Sequence, residues 1–386
     1  MKQFNIKIRM DNIYDMLLNI SVFIFFNHGF LYFFRPNEIY DSNSRLKLIK
    51  YFLFIIISIL CLKKMKIKKI AMLLLTFGIM TILNYISMRG TFNNNYLILY
   101  MIPMLTILNF DGLKSSVNFE KIIKITYIFS SIVAYVEFFF LDGVFNRFAV
   151  LGYRVISIFV NPNNFGIILP ILTFIMYINN FNKHIILFNT LILIKLTGSR
   201  TGMLLTSLIV AYVFFCDIKK IFKLKKITKN EIYKLYLTVI LLFVFIFIIL
   251  FQQNLILNIV DSLFNSTRDT GQLYIKNDMR LMGLKDTLNN GDLIFPWING
   301  EIPIDNAYIN VYGMFSFFGL LFFLIFNIYI IYICFKKNLK EIFTLIFMIL
   351  ISGITTNYLY LWPIGYVYWY LISIVLLERN NWRENE

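Results

Sequence analysis

The chain has 386 residues, of which 59% are hydrophobic and only 15% charged, with a mean hydropathy of +0.71. Soluble domains average about 25% charged residues, so this composition excludes a soluble protein of this length. The net charge of +16 leaves two readings, nucleic-acid binding or lysines retained on the cytoplasmic side of a membrane, and the hydropathy strongly favours the membrane.

Apolar runs long enough to span a bilayer recur throughout the chain and predict about twelve transmembrane helices. We therefore expect an all-α polytopic integral membrane protein, with residues 1–386 in a single transmembrane domain. The first run continues into Arg35 and Pro36 without a small-residue cleavage site, so no cleavable signal peptide is expected. In chain order the predicted spans cover residues 13–34, 48–62, 70–88, 96–110, 122–141, 157–178, 185–197, 202–217, 235–255, 307–333, 341–357 and 361–377.

Lysine-rich connections set the predicted orientation. Those at residues 63–69 and 219–234 are expected on the cytoplasmic side, and alternation then places both termini in the cytosol. One large external loop follows, at about residues 252–306. The cytoplasmic side holds mostly lysine, whereas the external side holds most of the arginines: Arg35, Arg45, Arg89, Arg147, Arg154, Arg200, Arg268 and Arg280.

This external excess of arginine favours an anionic, phosphate-bearing ligand. The planar guanidinium makes two parallel charge-assisted hydrogen bonds to phosphate, which a lysine does not. The alternative is that these side chains only reach towards lipid head groups. For Arg154, Arg200 and Arg280 we favour function, because each lies in a polar motif.

Two short polar segments interrupt oily sequence. The Asn-Pro segment is residues 161–164, and the Ser-Arg segment is residues 197–202. A hairpin of two predicted spans separates them, so both are expected at the same membrane surface. Amides and an arginine inside a membrane are costly unless they face a partner or a wet cavity, which predicts a site here. The Asn-Pro amides either bind sugar hydroxyls or hold backbone released by Pro162.

The large external loop carries Arg280 and ends at Asp305, Asn306 and Tyr308, where the chain re-enters the membrane. Its tryptophan, tyrosine, amides and carboxylates suit a surface that faces sugars. The leucine spacing in residues 273–288 predicts a short amphipathic helix. Asp305 immediately precedes the next predicted helix, at an N-cap position that favours aspartate.

The sequence lacks the motifs expected for nucleotide or metal binding. There is no nucleotide-binding glycine motif and no Cys/His metal spacing, so we expect neither a cofactor nor a metal. Glu137 is the clearest acidic residue within a span, and we expect it to pair with an external arginine rather than to relay protons.

The combination of motifs resembles the bacterial O-antigen polymerase and O-antigen ligase superfamily. The resemblance covers roughly residues 150–325: an arginine before an Asn-Pro-Asn segment, a Ser-Arg segment one hairpin later, an arginine within a long external loop, then Asp-Asn-x-Tyr and a glycine-containing helix. Members are membrane glycosyltransferases that use undecaprenyl-diphosphate-linked glycans without metal or nucleotide sugar. The resemblance implies a chain-length regulator as a further partner, in addition to membrane lipids. No nucleic-acid partner is expected.

The resemblance implies residue roles. Arg200 and Arg280 match the arginines thought to hold the lipid diphosphate, and Asp305 stands where the ligase branch has a presumed catalytic histidine. That departure favours the polymerase and leaves Asp305 as the candidate base. The implied substrate contacts are Arg154, Asn161, Asn163, Ser199, Asn306 and Tyr308.

The expected activity is polymerisation of lipid-linked oligosaccharide repeat units into O-antigen or capsular polysaccharide at the outer face of the membrane. Two alternatives remain at this point: a ligase or oligosaccharyltransferase of the same superfamily, and a flippase or transporter of the lipid-linked unit.

Overall fold

The structure is a computed structural model that describes residues 2–33, 45–61, 78–79, 81–82, 84–85, 94–140, 154–159, 162–179, 181–223, 306–359 and 363–377. Within these ranges all regular secondary structure is helical. The helices are α1 (Lys2–Asn27), α2 (Arg45–Cys61), α3 (Asn94–Ser116), α4 (Phe119–Phe140), α5 (Pro162–Ile178), α6 (Lys183–Thr197), α7 (Arg200–Lys223), α8 (Ala307–Lys336), α9 (Lys340–Ser352) and α10 (Ile364–Leu377).

The chain is a helical membrane protein. Four helical stretches in the described residues are long and apolar enough to cross a bilayer: Ile13–Leu31, Phe119–Phe140, Arg200–Ile218 and Ala307–Lys336. Shorter apolar helices include Pro162–Ile178 and Ile364–Leu377. The predicted spans at 70–88 and 235–255 fall largely or wholly outside the described residues, as does the external loop before residue 306. The number of spans and their sidedness therefore stay predictions.

Two compact units divide the chain. The first comprises residues 1–25, 51–117 and 266–386, and the second comprises residues 26–50 and 118–265. In the first unit α10 packs on α3, and α8, α9 and α10 pack on one another. Helix α8 is broken at Ser316, where φ is 70°, and the side chain of Asn84 donates to the Met314 carbonyl beside the break at 3.0 Å.

The second unit is built on mutual packing of α5, α6 and α7, with α4 against α5 and α6. Between them lies a layer of buried hydroxyl and amide groups. The Tyr127 hydroxyl donates to the Ile186 carbonyl at 3.0 Å and receives a hydrogen bond from Asn189 at 2.9 Å, while Thr173 and Thr190 bond each other at 2.7 Å. Such interhelical hydrogen bonds fix helix positions where the surrounding solvent is apolar.

A buried ion pair joins the start of α6 to the end of α7. Lys183 Nζ lies 2.5 Å from the Asp217 carboxylate, with the two side chains 19% and 8% exposed. We expect Asp217→Ala to lower the unfolding free energy in detergent by about 2–3 kcal/mol, because it leaves a largely buried ammonium without its partner. The double variant Lys183→Met/Asp217→Leu should recover most of that loss. A double variant as unstable as the single one would show that the ion pair is not the cause.

Candidate functional site

Residues 162–164 of the Asn-Pro segment and the Ser-Arg segment meet at one end of the α5–α6 hairpin, whereas the sequence predicted only that the two segments lie at the same membrane surface. Gly166 of α5 faces Ser199 and Gly202 so closely that a Cβ on Gly166 would lie 2.2 Å from Ser199 Cβ. A Cβ on Gly202 would lie 2.4 Å from the Gly166 carbonyl oxygen. The absence of side chains at these two positions therefore lets α5 and α7 approach closely enough to bring both polar segments together.

Arg154 joins the two segments. Its Nε donates to the Thr197 carbonyl at 2.6 Å, and its Nη2 donates to Asn163 Oδ1 at 2.9 Å. The guanidinium lies beside Gly198, the C-cap residue of α6, which has a left-handed φ of 59°. A Cβ on Gly198 would lie 3.2 Å from Arg154 Nε. Both acceptors are neutral oxygens, so these hydrogen bonds orient the guanidinium without neutralising its positive charge.

Two arginine side chains interact electrostatically at this end of the hairpin. Burial lowers the pKa of the Arg154 guanidinium below its usual value, and the nearby charge of Arg200 lowers it further. Arg154 is half-buried, whereas Arg200 is exposed. Two like charges, one of them partly desolvated, favour the binding of an anion between or beside them, because an anion would offset both costs.

Ser199 and Arg200 begin α7. Ser199 is 1% exposed, and its Oγ accepts the backbone N–H of Gly202 at 3.1 Å, the usual arrangement of a serine N-cap. Its own N–H donates to Thr197 Oγ1 at 3.1 Å. Arg200 is the first residue of the helix, where the aligned peptide dipoles add positive potential.

The loop that carries Arg154 is fastened on both sides. The Val155 N–H donates to the Leu196 carbonyl at 3.1 Å, and the carboxylate of Glu137 accepts the N–H groups of Ile156 and Ser157. The sequence predicted an arginine side chain as the partner of Glu137. The described hydrogen bonds reach the backbone next to Arg154, and the contact with an arginine stays a prediction.

Asn306 and Tyr308 belong to the first unit. Asn306 Oδ1 accepts the N–H groups of Tyr308 and Ile309 at 2.9 and 3.0 Å, and its Nδ2 donates to the Ile354 carbonyl. The Tyr308 hydroxyl donates to the Leu350 carbonyl at 2.8 Å. The N-cap of α8 is therefore Asn306 rather than Asp305, the residue for which the sequence had left that role open.

Three predicted site residues, Asn161, Arg280 and Asp305, lie outside the described residues. Of the others, the structure brings Arg154, Asn163, Ser199 and Arg200 together in the second unit. The sequence analysis missed Gly166, although an isolated glycine within a helix of large apolar residues indicates close approach of another backbone. Among the described residues, no three His, Cys, Asp or Glu side chains are placed to hold a metal ion.

Comparison of the chain with models of known protein families, with characterised proteins and with solved structures finds no match.

Proposed function

We propose that this protein is a membrane glycosyltransferase that polymerises undecaprenyl-diphosphate-linked oligosaccharide repeat units at the outer face of the bacterial inner membrane. The product is O-antigen or capsular polysaccharide. The observation that carries the proposal is that Arg154 and Arg200 lie near each other where the two polar segments meet. The motif resemblance supplies the glycan part of the proposal, and the arginine pair supplies a place for the diphosphate.

The reaction needs the leaving diphosphate to be stabilised. A hydroxyl oxygen of the acceptor glycan attacks the anomeric carbon of the donor, and the bond from that carbon to the diphosphate oxygen breaks with its electron pair. Negative charge therefore grows on the lipid diphosphate as the transition state forms. Fixed guanidinium groups stabilise that growing charge more than they stabilise the bound donor, which is the condition for catalysis.

Arg154 fits this role because its orientation is set before the substrate arrives. Two hydrogen bonds already hold its Nε and Nη2, so no side-chain entropy is lost when the diphosphate binds. Arg200 contributes a second guanidinium from the start of α7. In the proposal Arg280 adds a third cation from the large loop, and Asp305 takes the proton of the attacking hydroxyl.

Polymerisation by the purified chain tests the proposal directly. The lipid-linked repeat unit, extracted from cells that lack this protein, should be converted into a ladder of products one repeat apart. One undecaprenyl diphosphate should be released for each new glycosidic bond. A ligase would form no ladder from this single substrate, and a flippase would form no new bond. Absence of both the ladder and the released lipid diphosphate would overturn the proposal.

A further inference from the structure

Glu137 is a buried carboxylate that the proposed mechanism does not use. It lies near the end of α4 and is 3% exposed. Both of its oxygens lie 3.1 Å from the Ile156 nitrogen, and Oε2 lies 2.8 Å from the Ser157 nitrogen. A carboxylate is costly to bury, and successive backbone N–H groups form a concavity that binds an anion well.

The backbone that Glu137 binds is strained. Ser157 has a φ of 50°, which is unfavourable for a residue other than glycine. Its hydroxyl donates to the Ser130 carbonyl at 2.7 Å, and the residue is 1% exposed. Such a conformation persists only where its surroundings enforce it, and Glu137 together with Ser130 provides those contacts from α4.

Arg154 precedes Ser157 by three residues in the chain. The Val155 N–H, on the intervening residue, donates to the Leu196 carbonyl at 3.1 Å, so the loop is attached to α4 on one side and to α6 on the other. The Arg154 side chain then reaches Thr197 and Asn163. The position of Arg154 is therefore set by the backbone hydrogen bonds of Val155, Ile156 and Ser157, not only by its own side-chain contacts.

We propose that Glu137 is a positioning residue for Arg154. Its carboxylate holds the turn at Ile156 and Ser157, and the turn holds the guanidinium of Arg154 in the geometry that receives the diphosphate. The last step rests on the proposed function. The first step, from Glu137 to Arg154, does not depend on it.

Three variants separate positioning from general stability. Glu137→Leu removes every hydrogen bond that residue 137 makes to the turn and leaves the bond from Ser157 to Ser130. Glu137→Gln keeps one acceptor oxygen but turns an amide N–H₂ towards the backbone donors, so it should be intermediate. Tyr127→Phe is the matched control, because it removes buried hydrogen bonds from the same helix without touching the turn.

Three readouts are taken on the detergent-purified full chain well below its melting temperature. They are amide hydrogen exchange of residues 155–158, the rate at which phenylglyoxal modifies Arg154 as resolved by peptide mass spectrometry, and affinity for undecaprenyl diphosphate. For Glu137→Leu we expect faster exchange, about fivefold faster modification and about tenfold weaker affinity, because small misplacements of a positioning group are costly. Tyr127→Phe should leave all three at wild-type values.

If phenylglyoxal modified Arg154 of Glu137→Leu at the wild-type rate, despite faster amide exchange at residues 155–158, the proposal would be overturned. Glu137 would then have a structural role only. If Glu137→Leu does not fold, the intermediate rates expected for Glu137→Gln decide the question, and wild-type values there would overturn it. Failure of the wild-type chain to bind undecaprenyl diphosphate would refute the proposed function. The modification rate would still report whether Glu137 positions Arg154.

Discussion

Arg154→Ala is expected to slow glycan polymerisation about 1,000-fold, the size of effect seen when one preorganised donor to a developing anion is removed. The variant should still insert and fold, because Arg154 is only half-buried and its loss relieves repulsion with Arg200. The measurement is the initial rate of undecaprenyl diphosphate release from the lipid-linked repeat unit. Lys340→Ala, which removes an exposed cation at the start of α9, is the control and should keep the wild-type rate.

Arg154→Lys distinguishes the charge from the shape of the guanidinium. A lysine restores the positive charge but cannot place two fixed donors on Thr197 and Asn163 while presenting a planar edge to phosphate. We therefore expect its rate to lie much closer to that of Arg154→Ala than to wild type. A lysine variant with a rate near that of the wild type would show that only the positive charge matters at this position.

Substitutions at Asn163 sharpen the same test. Asn163→Asp places a carboxylate against Arg154, so it should compete with the diphosphate and weaken binding more than Asn163→Ala, which removes the hydrogen bond to Arg154 without adding a negative charge. The reverse order would argue against an anion site at Arg154. In the proposed mechanism Arg200→Ala and Arg280→Ala also abolish the ladder, and Arg280→Lys remains poor. Wild-type ladders from either alanine variant would remove that arginine from the mechanism.

Some of this site could be read from the sequence because its residue types are costly in a membrane. Arginine and clustered amides between apolar runs require a compensating partner, so Arg154, Asn163 and Arg200 stood out, and the hairpin between them predicted a shared membrane surface. Helices likewise followed from apolar length, although α1, α3 and α8 extend beyond the ends of the predicted spans because helix boundaries depend on caps and packing.

Other features depended on contacts between residues distant in the chain. Glu137 and the turn at Ser157 are 20 residues apart, and no local pattern indicates that this carboxylate will bind the backbone there. The cap of α8 could have been either residue of the Asp-Asn pair by preference alone. The break at Ser316 has no proline or glycine at that position to announce it, and it is stabilised by Asn84 from another part of the chain.

Gly202→Ala should disrupt both the fold of the second unit and the candidate site. The added Cβ would lie 2.4 Å from the Gly166 carbonyl oxygen and 3.0 Å from Ile194 Cδ1. Because the first of these atoms is backbone, α5 and α7 must move apart. We expect a loss of about 3 kcal/mol in unfolding free energy, which exceeds the ~1 kcal/mol that alanine gains over glycine within a helix.

The same displacement should reach Arg154, because Asn163 lies on α5 and Thr197 is joined to the start of α7 through only Gly198 and Ser199. Stretching either hydrogen bond moves the guanidinium, and a shift of about 1 Å at a positioning group can cost roughly 100-fold in rate. Gly78→Ala is the matched control, since a Cβ there meets nothing within 4 Å; it should not lower stability, because a helical alanine gains up to ~1 kcal/mol over glycine, and it should leave the rate unchanged. If Gly202→Ala matched this control in both measurements, the close approach of α5 and α7 would not be what holds Arg154 in place.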